Sequence, residues 1–209
     1  MNICLAESLI GTLPFGLNGL FNPYRDLCLH DTHSNGPKAK LKRLAMHLDC
    51  APEFIACGEA IGYAGGRYSG IAFTSERLLG EGVIPRIDAT TSRLTDRKLP
   101  FSEPSATIVW KTLFQLGIAE RTILWNAIQL HPYKQNTTWS NRTPTPEEVA
   151  LGEPALRLLI EAFPHAKIVA VGKKSDGLLR DIGILPIGAV RHPANGGAKL
   201  FAAGMKDLM

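Results

Sequence analysis

Polar side chains stand where apolar runs stop, and each brings a different chemistry. His192 follows the run Ile187–Val190 inside Arg191-His192-Pro193-Ala194-Asn195-Gly196-Gly197. An imidazole exchanges a proton near neutral pH, so it can donate, accept or stabilise charge. Pro193 fixes the chain direction after it, and the glycines open a helix whose free N–H groups suit a phosphate. Asn126 interrupts the apolar stretch Thr122–Ile128. A buried carboxamide without partners costs about 1–3 kcal/mol. It therefore bonds either to nearby backbone in a turn or to a ligand edge, where one amide both donates and accepts against an imide-like face. Glu59 lies in Gly58-Glu59-Ala60-Ile61-Gly62, ahead of Gly65, Gly66 and Gly70. That stretch lacks both the GxGxxG spacing and the Lys-Ser/Thr of a Walker loop, which argues against nucleotide cradling.

Such residues need a scaffold that gathers strand ends. Four short apolar runs, Glu53–Cys57, Thr122–Ala127, Lys167–Val171 and Ile187–Val190, read as buried parallel strands. Amphipathic segments between them predict helices over Glu103–Leu116 (with Ser102 as N-cap), from Thr145 toward Phe163, over Ser175–Asp181, and from Gly196 to Met205. Thr145, Pro146 and Glu148 have the spacing of a capping box with proline in the first turn, while Gly152 and Pro154 predict a kink beyond it. Residues 31–40 read as an exposed basic loop before a helix containing Leu41–Leu48. The alternation predicts a three-layer α/β/α fold around a central four-stranded, mostly parallel sheet. Ligands of such sheets bind outside the carboxyl ends of the strands. Those ends carry Gly58–Gly62, Asn126, Gly172 and His192.

A length of 209 residues predicts a single domain spanning 1–209. With 45% hydrophobic and 20% charged residues, the composition is that of an ordinary globular protein. The net charge of +4 and pI of about 8.9 lean mildly toward anionic partners. Cys4, Cys28, Cys50 and Cys57 form no CxxC and no zinc spacing with His47, so inert thiols, no metal and a reducing cytoplasmic setting are expected. The start lacks the basic n-region of a secretory signal, and no apolar run approaches the roughly 20 residues that span a bilayer. A monomer without membrane contact is expected.

The motifs, taken in chain order, resemble the uracil-DNA glycosylase superfamily, particularly its bacterial and archaeal family 4 branch. GEAIGYAGGRYSGIAFTSERLL is similar to that branch's GE(A/G)PG loop and following G-x-PF-VG segment. WNAIQLHP and NRTPTPEE resemble its N-V-V-K-C-R-P-P and NRxPTPEE, and RHPANGG resembles the superfamily's terminal His-Pro-Ser/Ala motif. Together they span residues 58–197, about two-thirds of the chain. The resemblance implies a glycosylase that everts a damaged nucleotide from DNA and hydrolyses its glycosidic bond, with no lyase step and no cofactor. DNA containing uracil or a related lesion is the implied partner, and free uracil the product.

Carried over position by position, the resemblance puts Phe73 under the extruded base, Asn126 against its edge, and His192 where charge develops on the leaving pyrimidine. Gly58, Ala60, Gly62 and Tyr63 line the binding loop, and Glu59 stands beside the flipped nucleotide. Asn141 supports a neighbouring loop. Thr74, Ser75, Arg191, Asn195 and Lys199 are expected at the DNA phosphates.

Departures from the branch sharpen these expectations. Leu130 and Gly152 replace two cluster cysteines, which implies that no iron–sulfur cluster is held. Ala60 stands where the best-known branch has a water-activating aspartate, leaving Glu59 as the expected activator. Ile61 replaces a proline, and here either Tyr63 excludes a thymine methyl or neighbouring Gly65 leaves room for one. Asn195, Gly196 and Gly197 occupy the loop that usually carries a bulky wedge, implying either a wedge supplied from elsewhere or a preference for single strands or weak pairs. Two other readings compete: excision of another base, such as hypoxanthine or mismatched thymine, and a damage-sensing DNA-binding protein that has lost hydrolysis.

Overall fold

The apolar runs pair as a parallel sheet because each is buried on both faces. The computed structural model describes residues 1–90 and 92–209. Its strands are β1 Leu20–Phe21, β2 Phe54–Ala60, β3 Thr122–Ile128, β4 His131–Pro132, β5 Lys167–Val171 and β6 Gly188–Val190. Its helices are α1 Ile3–Gly11, α2 Pro37–His47, α3 Gly66–Ser69, α4 Glu76–Gly80, α5 Pro104–Gln115, α6 Pro146–Ala150, α7 Glu153–Ala162, α8 Lys173–Asp181 and α9 Ala198–Asp207. The central sheet has the order β3-β2-β5-β6 with every pairing parallel. A small antiparallel pair joins β1 and β4.

Period-two alternation divides the core. Phe54, Ala56, Leu124 and Val169 meet Val109 and Trp110 of α5 and Phe201 and Met205 of α9 on one face. Ile55, Cys57, Ile123, Trp125 and Ala170 meet residues of α1, α2, α7 and α8 on the other. The result is the three-layer α/β arrangement that the sequence predicts. Because β3 and β5 flank β2 on opposite sides, the chain reverses its direction of travel across the sheet at β2. That reversal opens a crevice at the carboxyl ends.

Several local expectations change. Strand β2 runs on through Glu59 and Ala60, so both belong to a strand rather than a loop. Helix α5 begins at Pro104 after Glu103, and Ser102 lies outside it. Thr145 and Glu148 form the predicted capping box, but the helix expected to run to Phe163 divides into α6 and α7. The break falls at Gly152, where a Cβ would lie 2.3 Å from the Ala127 carbonyl oxygen, a contact only glycine permits. Residues 31–40 are not an exposed basic loop. Helix α2 starts at Pro37, Asn35 is buried, and Lys40 lies fully buried with its Nζ 2.5 Å from Asp31. Among the described residues no helix is long and apolar enough to cross a membrane.

Candidate active site

Strands β2 and β3 pair in a register that sets Gly58 directly beside Asn126. A missing side chain makes the site. A Cβ at Gly58 would stand 2.6 Å from Asn126 Oδ1, 2.6 Å from Phe73 Cζ and 2.8 Å from Phe73 Cε2. The aromatic ring and the carboxamide therefore converge over one bare backbone position.

Phe73 holds a left-handed backbone, φ 49°, which for a bulky residue costs on the order of 1–3 kcal/mol and persists only where its surroundings enforce it. Buried hydrogen bonds supply the enforcement. Ser69 Oγ donates to the Thr74 carbonyl at 2.7 Å and accepts from the Ile71 N–H at 3.1 Å. Thr74 Oγ1 donates to the Ala72 carbonyl and accepts from Trp110 Nε1 at 3.0 Å. These bonds correct one expectation. Thr74 and Ser75 are fully buried, away from the surface where a phosphate would lie; Thr74 shapes the turn that presents Phe73, and Ser75 Oγ has no hydrogen-bond partner among the described residues.

His192 closes the cluster from β6. Its ring centroid lies 6.0 Å from that of Phe73, tilted by 44°. Gly172, at φ 101°, lets the loop after β5 pass close by, since a Cβ there would come within 3.2 Å of His192 Cβ. The Ala194 N–H donates to His192 Nδ1 at 3.2 Å, so a neutral ring carries its proton on Nε2. Burial, and then the Arg191 charge, lower the His192 pKa below the ordinary 6.5 and keep the ring neutral at pH 7. Arg191, Asn195 and Lys199 are exposed around it. Asn195 and Gly196 both have positive φ, turning the chain tightly after Pro193 and into α9.

The other expected residues stand apart from this cluster. Strand alternation sends Glu59 to the face opposite Gly58. There its Oε1 lies 3.8 Å from Lys174 Nζ and has no hydrogen-bond partner among the described residues. Glu59 thus turns toward Lys174 of α8 and is not among the atoms nearest the Gly58 slot. Ala60 packs toward the second core layer. Tyr63 is pinned by its N–H to Asn141 Oδ1 at 2.8 Å, and its ring packs against Tyr68, Phe101 and His131. Tyr63 also lines a cavity of about 670 Å³ with Phe21, Arg67, Tyr133 and Trp139. None of Asn126, Phe73 and His192 lines this volume.

Sequence reasoning missed Gln129, Tyr24 and Glu103. Asn126 Nδ2 donates to Gln129 Oε1 at 3.1 Å, and Gln129 Nε2 donates to the Tyr24 hydroxyl at 3.2 Å. Polar Gln129 inside an apolar stretch was the available signal. Glu103 offered no signal beyond a helix start. Its Oε2 abuts the loop after β2, so close that a Cβ at Gly65 would lie 1.8 Å away. Burial pushes the Glu103 pKa up, against a single lowering hydrogen bond from Ser105 at 2.5 Å. Where two cluster cysteines were compared, Leu130 packs in the core and Gly152 backs onto Ala127 and Ile128. Among the described residues no three His, Cys, Asp or Glu side chains gather as a metal site.

Fold and site together define an α/β protein with a polar cluster at the carboxyl edge of a parallel sheet. The chain belongs to the uracil DNA glycosylase superfamily, whose model matches residues 47–201, about three-quarters of its length. Membership places it among the DNA glycosylases of base excision repair. The fold is also similar to the crystal structure of wild-type SMUG2 from Pedobacter heparinus, with a TM-score of 0.63 and 14% identity over 98% of this chain and 97% of that one. No curated protein matches the sequence.

Proposed function

We propose that this chain is a monofunctional uracil-DNA glycosylase that everts the target nucleotide and hydrolyses its glycosidic bond. The carrying observation is the convergence of Asn126 Oδ1 and the Phe73 ring on Gly58, with His192 at 6.0 Å from that ring. Unstacking a nucleotide costs a few kcal/mol. Stacking on Phe73 and a hydrogen bond to Asn126 offset that cost. As the bond breaks, the uracil gains negative charge and the sugar gains positive charge. A neutral His192 donates from Nε2 to the developing oxyanion, an interaction stronger in the transition state than in the ground state. No side chain becomes attached to the sugar, so water ends the reaction and an abasic site remains. The exposed Arg191, Asn195 and Lys199 hold the phosphates of the everted strand.

Residues 1–209 act in this reading as one domain, a monomer in the cytoplasm, with no cofactor. The test is a panel of oligonucleotides carrying uracil, hypoxanthine, mismatched thymine or no lesion, followed by alkali cleavage and identification of the released base. Release of free uracil with strand scission only after alkali is expected. Release of another base in preference, or scission without alkali, overturns the reading. Ala60, which offers no carboxylate, favours the competing damage-sensing protein, and that reading predicts binding to the same oligonucleotides without release of any base.

A further inference from the structure

A chain of hydrogen bonds behind Asn126 has a fixed direction. Its far end is the Gly70 carbonyl, which can only accept. The Tyr24 hydroxyl has one proton and donates it to Gly70 O at 2.7 Å. The Tyr24 oxygen must therefore accept from Gln129, so the amide nitrogen of Gln129 faces the phenol at 3.2 Å. That leaves Gln129 Oε1 toward Asn126, whose Nδ2 donates to it at 3.1 Å. The free end of the Asn126 amide is then Oδ1, the atom that faces the slot over Gly58. The anchor is firm. Gly70 is left-handed at φ 79° and pressed on α2, where a Cβ would lie 2.8 Å from Lys40 Cβ. Tyr24, Gln129 and Asn126 are all buried, so no bulk water competes to turn either amide. Burial also holds the Tyr24 phenol far above its ordinary pKa, and the hydroxyl keeps its proton.

We propose that Tyr24 and Gln129 are positioning residues that lock the Asn126 amide with its oxygen toward the everted base, so that the site selects bases presenting a ring N–H and rejects those presenting a bare ring nitrogen. Uracil, thymine and hypoxanthine carry such an N–H on the pairing edge. Cytosine and adenine place a lone pair there, which would meet the lone pair of Asn126 Oδ1. The inference rests on the reading of Asn126 as the base-reading group. It goes further in assigning the selection to residues that never touch the base.

Tyr24→Phe removes the anchor, and Gln129→Met removes the acceptor for Asn126 Nδ2 while conserving length. In both, either end of the Asn126 amide can face the slot. The probes are duplexes carrying a 2′-fluorinated deoxyuridine or deoxycytidine, which resist cleavage, so affinity is read without turnover. Wild type is expected to prefer the uracil duplex by at least about tenfold, a difference of roughly 1.4 kcal/mol. In each folded variant, checked by thermal melting, the preference is expected to fall to within about threefold. A preference retained in both variants overturns the relay and leaves the reading of Asn126 standing. No preference in wild type overturns both. If one variant fails to fold, the other decides.

Discussion

Gly58→Ala tests the site at its narrowest point. The added methyl would stand 2.6 Å from Phe73 Cζ and 2.6 Å from Asn126 Oδ1. Carbon atoms prefer separations of about 3.5–4.0 Å, so ring and amide must retreat by roughly 1 Å. Overpacking of this size costs about 1–3 kcal/mol. The loss of glycine flexibility in the unfolded chain returns about 0.4–1 kcal/mol, since β2 is extended at this position. For a chain of this length each kcal/mol moves the melting temperature by about 2–4 °C, and the net change should stay within about 10 °C. Activity should suffer far more. Displacing aligned groups by about 1 Å can cost 10²-fold, and here both the stacking ring and the base-reading amide move.

Single-turnover excision from a uracil-containing oligonucleotide is therefore expected to slow by about 100-fold in Gly58→Ala, with thermal melting as the check on folding. Gly177→Ala is the matched control. It lies in α8 with nothing within 4 Å of its would-be Cβ, so the exchange should leave the rate unchanged and stabilise by about 0.5–1 kcal/mol. A Gly58→Ala enzyme that works at the wild-type rate would show that Phe73 and Asn126 do not grip the base over this slot.

Other consequences follow from the same geometry. His192→Ala and Asn126→Ala should each slow excision at least about tenfold, and the histidine variant more, because one preorganised donor is worth about 2.7–4 kcal/mol; wild-type rates in both would discard the site. The acid limb of the wild-type rate should fall below pH 6.5, because burial and Arg191 keep His192 neutral there; a limb at or above that value contradicts a neutral donor. His47 and His131, both buried, are each lowered to about 3, by burial first and then by Arg86 and Arg67 respectively. Their folded values lie below the unfolded one, so the stability they permit is complete above pH 6.5 and is lost as pH falls toward 3. At pH 5 this amounts to roughly 2 kcal/mol each, seen as a drop in the urea midpoint between pH 7 and pH 5; equal midpoints would refute it. Glu103 shifts the other way: its folded carboxyl holds its proton above the ordinary 4.5, so wild type loses stability as pH rises past that value. Glu103→Gln should therefore melt higher than wild type at pH 7, with the gain shrinking toward pH 4, and an equal gain at both pH values would refute the shift.

The fold was legible because its signals are local. Apolar runs of five to seven residues mark β2, β3 and β5, and the Thr145–Glu148 box fixes where α6 begins. The site was half legible for the same reason. Asn126 and His192 break apolar patterns at strand ends, which composition alone displays. Glu59 is harder to place from sequence, because the strand that carries it runs on to Ala60 and its carboxylate meets Lys174 of α8, more than a hundred residues away. Thr74 and Ser75 lie buried instead of at a phosphate because burial is set by packing far away in sequence, as when Trp110 donates to Thr74. Gly152 signalled a kink, whereas its cause is the close approach of a strand met only in three dimensions.

The misread stretch at 31–40 shows why charge counted along a chain is a poor guide to the interior. Lys40 looks like a solvated cation, yet it is fully buried and Asp31, nine residues earlier, holds its ammonium at 2.5 Å. Three positions on, Arg43 is buried too, donating to the Ser69 carbonyl at 2.8 Å and to Asn35 Oδ1. Isolated, either cation would be costly to bury; paired and hydrogen-bonded, they hold α2 against the turn at 68–70. That turn carries the Gly70 carbonyl from which the Tyr24–Gln129–Asn126 chain takes its direction. Lys40 and Arg43 therefore act from inside the protein, while Lys38 and Lys42 of the same helix are exposed. Weakening Lys40 or Arg43 should loosen the Gly70 anchor before it affects any phosphate contact, and the first activity to degrade should be the choice among bases.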